Sequence, residues 1–269
     1  MPVFCRAVAA ALTLGILFAQ EPPPFRSEVN LVDITAVVRS QQGVLIGDLH
    51  KEDFEVLEDG VLQKMQFFAR QTELPLSLGL IVDVSGSQEH FLKQHNRDIQ
   101  TFLQEVLRPS DKTFAVCFGN HFYDALYFSA IGKMNKANEQ RRALLVFSDG
   151  EENSSEHDQL DAIEAAQNTN TLVYCIRYTH KEHGHLNARN KYGIRVMKHV
   201  ASLTGAADFD GTEEDLKDVF AAIGQELRSM YEIAYVSTNR ERDGSFRKLT
   251  IRCKRAGSVV RAKSGYYGR

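Results

Sequence analysis

The chain has 269 residues, of which 43% are hydrophobic and 25% are charged, and it contains no Trp and six Pro. This balance is typical of a globular protein and excludes a wholly disordered, collagen-like or low-complexity chain. The formal net charge of −3 gives no overall reason to expect nucleic acid as a partner. The charge is unevenly distributed, because the stretch from Arg240 to Arg269 carries ten Lys or Arg residues against two acids.

The first residues predict export. Residues 7–18 form an uncharged run after Arg6, which is too short to span a membrane but suits the apolar region of a secretory signal. We predict a signal peptide over residues 1–19, cleaved after Ala19, and a Pro-rich linker over 20–28. An uncleaved N-terminal anchor is the alternative. Both place the body of the protein outside the cytoplasm, in the periplasm, the cell envelope or the medium.

Removal of residues 1–19 leaves three cysteines, which cannot all pair as disulfides. Cys117 and Cys175 lie within apolar runs, so we expect them to be buried free thiols.

Residues 29–73 predict the first half of a small β domain. Ile34, Ala36 and Val38 alternate with their neighbours at the period of a strand. Further along, Asp59-Gly60 separates two strand-like runs, and this dipeptide favours a hairpin because both turn positions require positive φ.

Between residues 74 and 229, apolar runs alternate with stretches of helical periodicity. We expect Ser155 to cap one helix and an apolar stripe from Leu216 to Leu227 to face the core in another. The alternation predicts a doubly wound, mostly parallel α/β sheet. Its strands would be buried on both faces, and the four runs are Leu78–Val82, Thr113–Phe118, Ala143–Phe147 and Thr171–Ile176.

After Met230 the period returns to two, and residues 230–269 are predicted to complete the β domain, with a last strand that holds Val259 and Tyr266. The predicted architecture is an α/β domain inserted between two halves of a small β-sandwich. The basic residues of this stretch alternate with Leu249 and Ile251, as the solvent face of a sheet requires. Attraction to an anionic envelope surface is the functional alternative.

Oxygen-bearing side chains follow two of the apolar runs. Asp83, Ser85 and Ser87 come after the first, and Asp149 comes after the third. Because ligands of open α/β sheets bind at the carboxyl ends of the strands, we expect these four residues to lie together. Oxygen-only donors suit Mg²⁺ or Mn²⁺. With few carboxylates in direct contact, such an ion can accept a carboxylate from a partner.

Asp-x-Ser-x-Ser after one apolar strand and Ser-Asp-Gly after a later one resemble the von Willebrand factor type A (VWFA) domain over about residues 76–227. The flanks Val29–Val32, Glu52–Gly60, Leu74–Gly79 and Gly265–Tyr267 resemble secreted bacterial proteins of the "VWFA-related" group, often seen in acidobacteria. The resemblance implies a metal-ion-dependent adhesion site. In it, Ser85 and Ser87 would bind the ion directly, and Asp83 and Asp149 would act largely through hydrogen bonds and water.

The sequence departs from this family at the second loop. The family has a Thr ligand where this chain has Asn120, just before Tyr123-Asp-Ala. The run from Phe118 to Tyr123 is also short by roughly 25 residues, the length of a strand, a helix and two loops. The site therefore either binds a cation with Asn120 as a further ligand, or is a relic on an intact fold. The strand at Thr113–Phe118 would become an edge open to pairing with another chain.

The remaining motifs favour binding over catalysis. His180, His183 and His185 allow a zinc site, but without accompanying Cys ligands a solvated loop is the favoured interpretation. We find no Gly-x-Ser-x-Gly elbow, phosphate loop or His-Glu-x-x-His motif. The sequence thus predicts a non-enzymatic module that binds a protein ligand, through the ion and an acidic side chain of that ligand. A metal-independent envelope scaffold is the alternative, and a metal-dependent hydrolase is the least favoured. The oligomeric state is not determined by the sequence.

Overall fold

The structure is a computed structural model that describes residues 31–71, 74–137, 141–181 and 183–268. The predicted signal peptide and Pro-rich linker lie outside these residues. The strands are β1 (Leu31–Ser40), β2 (Phe54–Glu58), β3 (Val61–Gln63), β4 (Met65–Gln71), β5 (Leu76–Asp83), β6 (Lys112–Phe118), β7 (Arg141–Ser148), β8 (Thr171–Arg177), β9 (Asp208–Asp210), β10 (Met230–Val236), β11 (Phe246–Cys253), β12 (Ser258–Ala262) and β13 (Gly265–Tyr267). The helices are α1 (Leu92–Val106), α2 (Phe122–Ser129), α3 (Gln159–Asn168), α4 (Ala188–Thr204) and α5 (Leu216–Leu227).

Strands β5 to β9 form one parallel sheet in the order β6-β5-β7-β8-β9. All eight residues of β5 are buried, because the sheet has a hydrophobic core on each face. Phe102 of α1 and Phe220 of α5 pack in one core, and Leu126, Ile163 and Val200 of α2, α3 and α4 pack in the other. The predicted doubly wound α/β fold is therefore confirmed.

The remaining strands form two antiparallel sheets, β12-β1-β10-β4 and β13-β11-β2-β3, which enclose a third core. Each sheet takes strands from both ends of the described chain, so the predicted insertion of the α/β domain into a β-sandwich is confirmed. The predicted hairpin joins β2 to β3, where Asp59 and Gly60 have φ of 48° and 83°. The insert begins after β4 and ends before β10. These two strands pair with each other, and Gln71 lies opposite Met230.

The sheet β12-β1-β10-β4 also packs against the α/β domain, since Val37 and Met230 belong to the α/β core. At this junction the buried Glu226 of α5 accepts hydrogen bonds from Tyr174, Arg39 and Arg261. The carboxylate thereby joins α5 and β8 to strands β1 and β12. The two domains therefore pack on each other at a junction that includes the ion pairs of the buried Glu226.

Two local predictions are wrong. Ser155 does not cap α3. The helix begins at Gln159, three residues later than a Ser155 cap requires. Asp158 is therefore the cap: its carboxylate accepts from Leu160 N over 2.7 Å and from Asp161 N over 2.9 Å, and Asp161 completes a capping box. In addition, the predicted last strand is two strands, β12 and β13, which belong to different sheets.

Strand β6 is the edge of the parallel sheet, as the short second loop predicts. Thr113, Ala115 and Cys117 on its uncovered face are exposed. Cys117 is therefore an exposed thiol, which corrects the prediction that it is buried, whereas Cys175 is buried and both are free. None of the helices in the described ranges is long and apolar enough to cross a membrane.

Candidate metal-ion site

The predicted carboxylates meet where β5 and β7 end side by side. Asp83 is the last residue of β5 and Asp149 follows β7, and their exposed fractions are 1% and 3%. Ser148 Oγ donates a hydrogen bond to Asp83 Oδ2 over 2.5 Å, which ties the two strand ends together. The parallel pairing of two adjacent strands thus brings together residues 65 positions apart in the chain.

The two predicted hydroxyl ligands lie on the turn that follows β5. Ser85 N donates to Asp83 Oδ1 over 2.9 Å, so the carboxylate fixes the course of the turn. Ser85 Oγ and Ser87 Oγ are then 3.1 Å apart. When two ligand oxygens bind one ion at about 2.1 Å and subtend a right angle at it, the oxygens are about 3.0 Å apart. The hydroxyl pair therefore fits adjacent positions around one octahedral Mg²⁺ or Mn²⁺.

Asp149 is held on both sides. Its Oδ1 accepts from Glu151 N over 2.9 Å, and its Oδ2 accepts from Gln88 Nε2 over 2.7 Å. Gln88 also donates to the carbonyl oxygen of Tyr178, so the turn before α1 is tied both to the carboxylate and to the residue that follows β8. These contacts fix the carboxylate orientation before any ligand binds.

The backbone of Asp149 packs directly against α4. A Cβ atom on Gly193 would lie 2.3 Å from the carbonyl oxygen of Asp149. A Cβ atom on Gly150 would lie 2.6 Å from the carbonyl oxygen of Gly193. Gly150 also has φ of 76°, in the left-handed region that favours glycine. Two glycines therefore allow the loop after β7 to lie on the helix surface.

The site carries an excess of negative charge. Burial raises the pKa of the Asp83 carboxyl, and the nearby Asp149 raises it further. Burial and Asp149 also raise the pKa of Glu151, although Glu151 forms an ion pair with Arg189 at 2.6 Å. A divalent cation at the serine pair would offset this repulsion.

Asn120 lies on the second loop, and its hydrogen bond is with the loop after β7. Its carbonyl oxygen accepts from Ser154 N over 3.1 Å, and no hydrogen bond of the described residues joins it to Asp83, Asp149 or the two serines. Glu152 accepts from Tyr123 N at the start of α2 over 3.1 Å. The short second loop is thus bound to the loop after β7.

The histidines His180, His183 and His185 are exposed between β8 and α4. Among the described residues, no group of three or more His, Cys, Asp or Glu side chains is placed to hold a metal ion. A cation at the predicted site would therefore depend on the serine hydroxyls, and the neutral hydroxyls and buried carboxylates present there fit a hard cation. The assignment of Asp83, Ser85, Ser87, Asp149 and Asn120 as ligands stays a prediction.

Sequence reasoning gave no role to Ser148, Gln88, Glu151 or Gly193. Ser148 and Glu151 flank Asp149 in the chain, so their position beside it was a usable signal. Gln88 and Gly193 reach Asp149 only through tertiary contacts, and nothing local in their sequence marks them.

Comparisons with known proteins assign no family. No protein-family model and no curated protein matches the chain. The fold is similar to the crystal structure of the manganese-loaded Plasmodium vivax TRAP protein, at 12% sequence identity and a TM-score of 0.41, over 75% of this chain and 98% of that chain. A likeness with this identity and TM-score assigns the chain neither a family nor a function.

Proposed function

We propose that the chain is a protein-binding module of the VWFA type that uses Mg²⁺ or Mn²⁺. The observation that carries this proposal is the pair of serine hydroxyls 3.1 Å apart beside two buried carboxylates at the ends of β5 and β7. The pattern of a secretory signal over residues 1–19 supports the same function. An exported module would meet ligands at the cell envelope or beyond it.

The chain's own residues prepare the site for an acidic partner. Ser85 and Ser87 are neutral donors, so they would leave most of the ion's charge available to a carboxylate of the partner. Asp83 holds the turn that carries the serines, and Ser148 holds Asp83. Ser87 is exposed, which leaves the serine side of the site open to a protein surface.

Calorimetric titration of the purified chain with Mg²⁺ and Mn²⁺ tests the proposal. We expect saturable binding that is lost when Ser85 and Ser87 are both replaced by Ala. The matched control is Ser154→Ala, an exposed serine on the loop after β7. A wild-type chain that melts cooperatively yet takes up no metal at millimolar concentration would contradict the proposal, as would undiminished binding by the double variant.

A metal-independent scaffold is the second candidate, and the exposed edge strand β6 supports it. This candidate predicts that partner binding is unchanged by a chelator. A hydrolase is less well supported, because a hydrolytic metal site would be expected to hold more carboxylate or His ligands. Turnover of a phosphate or ester substrate that disappears in Asp149→Ala would favour it.

A further inference from the structure

A cavity of about 420 Å³ lies at the junction of the two domains, away from the carboxyl ends of the parallel strands. Arg142 near the start of β7 and Asn170 just before β8 form the α/β wall. The β-sandwich wall includes Lys263 and the loop between β10 and β11. The volume lies within the range of pockets that bind small molecules.

The cavity lining is strongly basic. It contains two acids, Asp33 and Glu241, and five cations, Arg142, Arg240, Arg242, Arg247 and Lys263. Four of these cations belong to the basic C-terminal stretch. The structure thus gives that stretch a second role, because part of it lines a cavity while Lys248 and Arg252 remain exposed on the sheet.

Two of the cations are fixed in place. Arg247 is 2% exposed, and its Nη2 donates to the Glu241 carbonyl oxygen and to Asp243 Oδ1, both over 2.9 Å. Its buried Nε has no hydrogen-bond partner in the described part of the chain. Lys263 is 7% exposed and donates from Nζ to the Gln167 carbonyl oxygen over 3.0 Å.

The positive charge of this cavity is only partly compensated. Burial lowers the pKa of Lys263 to about 8, and the nearby Asp33 offsets only part of that effect. Arg240 on the loop is exposed and makes no hydrogen bond or ion pair with other described residues. A partly enclosed cavity that offers the guanidinium of Arg240 is suited to oxyanions, because guanidinium groups form charge-assisted hydrogen bonds with carboxylates and phosphates.

We propose that this junction cavity binds a small, multiply charged oxyanion, either a polycarboxylate or a phosphate ester. Arg240 and Arg242 would contact it from the loop, and the fixed Arg247 would contact it from the wall. The cavity is separate from the serine pair, so this binding does not depend on the divalent cation. A bound anion would lie between the β-sandwich and the α/β wall that Arg142 and Asn170 form.

Calorimetric titration of the purified chain with citrate and, separately, with pyrophosphate tests this site. We expect saturable binding of at least one of them. Binding of citrate would indicate a polycarboxylate ligand, and binding of pyrophosphate would indicate a phosphate ligand. Replacement of both Arg240 and Arg242 by Gln is expected to weaken binding by roughly tenfold or more. The single variant Arg240→Gln removes a side chain without internal contacts, so it shows the same trend without risk to the fold.

The matched control replaces Lys248 and Arg252 by Gln, which removes the same charge from the exposed face of β11. We expect this variant to bind as the wild-type chain does. An equal loss of affinity in the control would mean diffuse attraction to a basic surface and would overturn the proposal. Failure of both anions to bind at millimolar concentration to a chain that melts cooperatively would also overturn it.

Discussion

Gln88 donates its side-chain amide to Asp149 Oδ2 over 2.7 Å, and the two residues are 0% and 3% exposed. A buried carboxylate oxygen without a partner destabilises the fold, so this amide has a structural value independent of any metal. Asp149 is also one of the two carboxylates predicted to lie at the cation site. Gln88 therefore links the stability of the chain to the electrostatics of the candidate site.

Gln88→Glu is expected to lower the free energy of unfolding by about 2–4 kcal/mol, because it puts a second buried carboxylate beside Asp149. Millimolar Mg²⁺ should reduce this loss, since a cation would offset the new repulsion. Denaturant unfolding in chelator and in Mg²⁺ measures both effects. The control is Gln104→Glu, which makes the same change at an exposed position of α1. Equal losses in the two variants would refute this role for Gln88.

Gly193→Ala is expected to destabilise the chain by roughly 1–3 kcal/mol, because the new Cβ would overlap the Asp149 carbonyl oxygen. The displaced loop should also weaken any metal binding at Asp149. Thermal unfolding and metal titration of the variant measure the two effects. Gly132→Ala is the control, since a Cβ there would meet nothing within 4 Å. Wild-type behaviour of the Gly193 variant would show that α4 does not constrain the loop.

His95→Phe is expected to stabilise the chain increasingly as the pH falls from 6.5 to 4. His95 is 1% exposed and neither ring nitrogen has a partner among the described residues, so burial lowers its pKa to about 4. Between these pH values the unfolded chain binds the proton and the folded chain does not, so acid favours unfolding. The advantage of the variant should reach about 2–3 kcal/mol at pH 4.

Unfolding in denaturant at several pH values measures this difference. The ring already packs against Tyr178 at a centroid distance of 4.3 Å, so a phenyl group suits the site. His199→Phe on the exposed side of α4 controls for the aromatic replacement. A difference between wild type and His95→Phe that stays constant with pH would exclude titration of His95 as the cause.

Lys263→Met is expected to be more stable than the wild-type chain at pH 7 and to lose this advantage above pH 8. The pKa of Lys263 is about 8 in the folded chain against 10.5 as a free side chain. Between these two pKa values the unfolded wild-type chain binds more protons than the folded chain does. The free energy of unfolding of the wild type therefore rises with pH relative to that of the variant, by at most about 1.4 kcal/mol per pH unit. Unfolding at pH 7 to 10 measures the difference. A difference without this slope would show that the pKa of Lys263 in the folded chain is not lowered.

Thiol labelling distinguishes the cysteines. Cys117 is exposed on the edge strand, so we expect it to react rapidly in the folded chain. Cys175 should react only on unfolding, because burial raises the pKa of its thiol. Cys117→Ser should therefore remove the rapid phase of the reaction. A rapid phase of unchanged amplitude in this variant would contradict the exposed position of Cys117, and Cys253→Ser separates any contribution from the half-buried Cys253.

The order of strands and helices could be predicted because buried parallel strands and amphipathic helices carry distinct periods. The meeting of Asp83 with Asp149 was also predictable, since adjacent parallel strands end at one edge of a sheet. The exposure of Cys117 was not predicted, although the short second loop marked its strand as an edge, because an apolar run does not show that one of its faces is uncovered. Gln88 and Gly193 act through contacts 61 and 44 positions away in the chain, which no local pattern encodes.

The pairing of β4 with β10 has a consequence for the order of folding. Gln71 and Met230 are opposite each other in the ladder, yet the whole α/β insert separates them in the chain. The entropy of closing so long a loop opposes this pairing until the insert has contracted. We therefore expect the parallel sheet to form first and to hold the two strands near each other. The sandwich would then close as the slow, final step of folding.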